Sequence, residues 1–155
     1  MSSDRDDLKD YLLKEIEIIQ DIIKRMALNS FLIKGWALTL VVGTLLLKGG
    51  KYQAFIAFIP LLVFWFLDAY FLRQERLYRQ LYHWVVANRL KTNEYLLDMN
   101  AYRFDDRVQS IPAIMFSLTL AAFYGSVAAL NLLRCLSVDL WWDGLMRRQV
   151  CVRWP

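Results

Sequence analysis

The sequence predicts an all-α membrane protein. It has three transmembrane helices, an amphipathic N-terminal helix, and a long second helix that extends into the cytoplasm. Three observations carry this expectation. Hydrophobic residues make up 57% of the 155-residue chain and aromatic residues 15%, whereas ordinary globular chains are about 45–50% apolar. The apolar residues gather into three runs, Phe31 to Leu47, Gln53 to Leu72 and Ala113 to Leu133, and most charges fall between them. Six Trp, eight Tyr and nine Phe suit a chain with two membrane–water interfaces to mark.

Residues 1–30 read as a cytoplasmic amphipathic helix. Leu12, Ile16, Ile19, Ile23 and Met26 alternate spacings of four and three, the seam of a coiled coil. Such a seam fits either the chain's own later helices or a second copy, and self-association is the sharper expectation. Asp4, Asp6, Asp7 and Asp10 open this helix and Lys24 and Arg25 lie near its end, an order that complements the helix macrodipole. An acid-rich start with no basic region leading into a short apolar core argues against a signal peptide.

Residues 31–72 form a predicted transmembrane hairpin. Its first run rises about 26 Å as a helix, at the short end of what spans a hydrocarbon core. "KGGK" (Lys48 to Lys51) supplies the turn, and its glycines permit positive φ. Pro60 lies within the second run and should kink the helix rather than end it. Leu77, Leu81, Trp84 and Val85 keep the helical spacing, so this helix should leave the membrane and continue to about Leu90. Residues 73–112 are then a cytoplasmic extension and connection.

Residues 113–133 are the third predicted span, with Pro112 suited to the first turn of a helix. Ser117, Ala121, Gly125 and Ala128 form a stripe of small residues, a packing face within the chain or between subunits. In the tail, residues 134–155, the stretch "CLSVDLWWDGLM" (Cys135 to Met146) is too short and too acidic to span. Trp141, Trp142, Leu145 and Met146 suggest an interfacial tail.

Charge sets the expected topology. Lys plus Arg number 6 in residues 1–34, 2 in 48–51, 7 in 73–110 and 4 in 134–153. The positive-inside bias therefore puts the N-terminus and the second connection in the cytoplasm. The net charge of +4 reads as this bias together with attraction to anionic lipid. No motif favours a nucleic-acid partner.

Asp68 stands inside the apolar run "FWFLDAYFL". Measured from the turn, Lys34 and Asp68 lie at nearly equal helical distance, about 3 Å apart in rise. An intramembrane Lys34–Asp68 ion pair is the structural expectation, because a lone Asp at mid-bilayer costs about 2.5–3.5 kcal/mol. The functional competitor is a pore or vestibule stripe formed by Asp68, Glu75, Arg79 and Tyr82 on one helical face. Phosphate-binding glycine loops, GxSxG and HExxH are absent from the sequence. Cys135, Cys151 and the single His83 cannot make a four-ligand zinc site. No enzyme, cofactor or metal is expected.

The stretches "NSFLIKGW", "FWFLDAYFLRQERLYRQLY" and "FSLTLAAFY" resemble recurring features of a widespread group of small bacterial inner-membrane proteins of unknown function. Lys34, Gly35, Trp36, Asp68, Tyr70, Glu75 and Arg79 match the recurring positions, and the resemblance covers about residues 15–130. The tail from Arg134 to Pro155 lies outside it. The group is similar to small multi-helix membrane proteins of anti-phage defence systems, including SLATT-like proteins and the membrane accessory of the RADAR system. The resemblance implies a multi-pass inner-membrane protein with the lipid bilayer, other copies of itself and a cytosolic defence protein as partners. The leading expectation is an oligomeric pore-forming or membrane-perturbing component of a defence or stress system. A non-conducting scaffold that recruits a cytosolic partner is the alternative.

Overall fold

The computed structural model describes residues 2–46 and 53–150, and the surroundings of side chains 6–44, 46 and 58–134. Helix α1 spans Ser2–Leu46 and α2 spans Gln53–Asn88. A 3-10 segment over Ala101–Arg107 and the short helix α3, Ile111–Met115, lead into α4, Leu118–Val150. Every regular element among the described residues is helical.

α1 is one rod of 45 residues, about 68 Å long. The predicted amphipathic helix and the first apolar run are therefore a single element. No proline or glycine precedes Gly35, so nothing in the chain stops the helix where its surface changes from charged to apolar. α2 passes through Pro60, as its continuing apolar pattern requires, and ends close to the expected Leu90.

Two hydrophobic cores are stacked along the α1–α2 pair. The first gathers Ile19, Leu77, Leu81, Val85, Ala101 and Phe104, with Leu12, Ile23 and Tyr82 packed on its edge. Part of the predicted self-association seam is thus occupied within the chain. Ile19 is fully buried, while Ile16 and Met26 are half-buried. The second core gathers Ala37, Val41, Leu61, Ala69, Ile114, Leu120, Tyr124 and Val127.

The third apolar run differs from its predicted single helix over 113–133. Pro112 occupies the first turn of α3, but the helix breaks after Met115. Phe116 takes φ −89°, ψ 12°, and α4 restarts with the Ala121 N–H donating to the Ser117 carbonyl at 2.8 Å. α4 then continues as helix to Val150, so the backbone of the tail extends this element. The tail's aromatic side chains and Cys135 lie outside the described surroundings, and the KGGK turn and Cys151 lie outside the described residues.

α1 contains a stretch long and apolar enough to cross a membrane, whereas the apolar stretch of α4, Leu118–Arg134, is shorter. Large hydrophobic side chains nevertheless face outward on three helices. They include Phe31, Trp36, Leu40 and Leu46 on α1, Ile59, Leu62 and Phe66 on α2, and Leu118, Leu130 and Leu133 on α4.

Candidate functional site

The second core encloses one carboxylate. Asp68, on α2, is completely buried among groups from two other helices. From α1, the Lys34 ammonium donates to Asp68 Oδ1 at 2.8 Å and lies 2.6 Å from Oδ2. Ser30, one turn before Lys34 on the same face, donates to Oδ1 and accepts from Lys34 at 2.8 Å. From α4, the Tyr124 hydroxyl reaches Oδ2 at 3.2 Å and the Phe64 carbonyl at 3.3 Å. Trp65 stacks on Tyr124 with ring centroids 6.0 Å apart, and its indole N–H donates to the Met115 carbonyl at 3.0 Å.

Both Asp68 oxygens accept two contacts, and the charge is balanced by Lys34. A carboxylate has about four lone-pair positions, so Asp68 has little acceptor capacity left for a passing ion. Lys34 has three donors, and its contacts to Oδ1, Oδ2 and Ser30 use them. This is a saturated polar knot that ties three helices together in an apolar setting. There an unpaired polar group would be costly.

The remaining predicted stripe residues are also engaged. Glu75 is buried and pairs with exposed Arg79 at 2.7 Å, and Tyr82 packs on the first core. Asp68, Glu75 and Tyr82 therefore spend the face on contacts inside the chain. The small-residue stripe divides in two. Ala128 packs against the second core, while a Cβ placed on exposed Gly125 would meet no atom within 4 Å. Ser117 falls in the break before α4, and its buried Oγ has no hydrogen-bond partner among the described residues.

Arg134 donates to the Thr44 carbonyl at 2.6 Å, near the C-terminus of α1 where a cation is favourable. Tyr124 lies at the level of Lys34 and Arg134 at the level of Thr44. Each interval is ten residues, or about 15 Å, so α4 runs in the direction of α1.

A second buried ion pair joins α1 to the segment just after α2, and the sequence did not single it out. Arg89 and Glu15 are both buried, with contacts of 2.5 Å from Nε to Oε2 and 2.8 Å from Nη2 to Oε1. A signal for Glu15 was present: Leu8, Leu12, Glu15 and Ile19 share one helical face, which makes Glu15 the charged member of an apolar stripe. Among the described residues, no group of His, Cys, Asp and Glu could hold a metal ion. Comparisons with protein-family models, curated proteins and solved structures returned no match.

Proposed function

We propose that the chain is a three-span, non-enzymatic inner-membrane scaffold. On this reading its N-terminus is cytoplasmic and its α1–α2 stalk serves a cytosolic partner. One observation carries this preference over a pore: Asp68 is fully buried and saturated by Lys34, Ser30 and Tyr124. A permeation site needs acceptors that an ion can reach, and this carboxylate already fastens helices together. The outward-facing apolar residues on α1, α2 and α4 support the three-span reading. From Leu28 to Leu46 those on α1 cover about 27 Å, close to the roughly 30 Å hydrocarbon core. The resemblance of the Lys34, Asp68 and Glu75 motifs supports a bacterial defence or stress setting, with self-association through lipid-facing surfaces.

Ion flux through liposomes containing the purified protein tests the choice. Correctly assembled protein should leave a dye-coupled ion gradient intact. Flux abolished by Glu75→Gln without loss of assembly would sink the scaffold reading and restore the pore.

A further inference from the structure

Among the described residues, the connection after α2 is hydrogen-bonded to α1 through one side chain, Glu15, while its backbone is strained. Tyr95 and Leu97 have φ of 55° and 56°, the left-handed region that is unfavourable for a residue with a Cβ. Glycine would adopt that conformation freely, yet neither residue is glycine. Such outliers persist only where the surroundings over-determine them. Here the surroundings are Glu15 and Arg89.

Arg89 uses all five N–H donors. Nε and one Nη2 hydrogen go to Glu15, and the others reach the carbonyls of Tyr95 at 3.0 Å, Thr92 at 3.3 Å and Glu94 at 2.8 Å. Glu15 Oε1 also accepts the Leu97 N–H at 2.7 Å. The other hydrogen bonds of residues 91–100 shown in the structure are local, such as Lys91 and Thr92 N–H to the Asn88 carbonyl and Asp98 N–H to the Tyr95 carbonyl. The same pair fastens α1. α2 ends at Asn88, next to the Arg89 that binds Glu15, so α1 before Glu15 runs beyond the end of α2, with Leu12 still packed on the edge of the first core. Ring contacts of Tyr95 with Arg103 and Trp84, the Asp98–Arg103 pair at 3.9 Å and the packing of Met99 on the first core attach the segment to its own side of the fold.

We propose that Glu15 and Arg89 form the catch of a strained latch. Opening it releases residues 91–100 and the leading turns of α1 together, while the Asp68 knot stays closed. The separation supports independence: Glu15 precedes Ser30 by 15 residues, about 22 Å along one rod. The latch is distinct from the scaffold reading, because it would operate in a conducting protein as well.

Hydrogen exchange on the full chain in lipid nanodiscs, read segment by segment, tests it. Glu15→Gln keeps the shape but removes the charge. It should speed exchange in residues 2–14 and 92–98 about 10- to 100-fold, the range expected for losing charge-assisted hydrogen bonds. Exchange around Asp68 and Leu120 should not change. Leu97→Gly, which leaves the ion pair in place, should slow opening of the same segments about threefold by relieving the left-handed backbone. Equal acceleration around Asp68, or failure of Glu15→Gln to fold, would make the pair a strut of the whole fold and overturn the latch; unchanged exchange in residues 2–14 and 92–98 would show that the pair restrains neither segment and overturn it as well. Faster opening in Leu97→Gly would overturn it independently.

Discussion

Asp68 shows how an apolar environment turns one carboxylate into a junction. Its charge is neutralised by Lys34, and its lone pairs are occupied by Lys34, Ser30 and Tyr124. Breaking a buried pair from one side leaves an uncompensated charge, whereas removing both charges does not. Lys34→Met should therefore cost about 3 kcal/mol of stability in detergent unfolding. The double variant Lys34→Met/Asp68→Leu should recover most of that loss, and equal losses would refute the argument. Tyr124→Phe removes one hydrogen bond and should cost only about 1 kcal/mol. Asp68 and Lys34 were legible because a tight turn sets the register of a helical hairpin from sequence distance. Ser30 was legible in principle, being one turn from Lys34. Tyr124 was not, because the connection between α2 and α4 contains a 3-10 segment and a break at Phe116 that leave the third helix's register open to packing.

At the scale of elements, α1 joins two regions of different surface in one helix, and its charged half packs on the C-terminal half of α2. Periodicity located the seam residues but could not say what they would face, since a seam of about two heptads serves an intramolecular groove as well as a second copy. Ile19 lies completely buried against Leu77, Leu81 and Val85. Ile19→Ala should accordingly lower stability by about 2–5 kcal/mol, while the mass measured by light scattering in detergent stays unchanged. A loss of assembly at unchanged stability would instead place this residue between subunits. The division of the third apolar run escaped the sequence reading for a physical reason. Pro112 announces a helix start, but nothing between Met115 and Leu118 carries a glycine or proline to mark the interruption.

For the whole molecule, the cross-helix contacts determine which ends lie together. Lys34–Asp68–Tyr124 joins α1, α2 and α4 at one level, and Thr44–Arg134 joins α1 to α4 about 15 Å further along. α2 therefore returns against α1, whereas α4 runs with it. On the three-span reading, residues after Arg134 emerge opposite the N-terminus. On the same reading, the basic residues at 1–34 and 73–110 place the N-terminus and the α2 connection in the cytoplasm. Single reporter cysteines placed in a Cys135→Ser/Cys151→Ser background check this arrangement in intact spheroplasts with a membrane-impermeant maleimide. Reporters at Lys9 and Glu94 should stay unlabelled until the membrane is broken, while reporters at Lys51 and Arg147 should label at once. Labelling of Arg147 only after lysis, with Lys51 still accessible, would mean that the third apolar run does not cross. The Asp68 knot would then join two spanning helices to one lying on the cytoplasmic side, and the belt on α4 would need a protein partner in place of lipid.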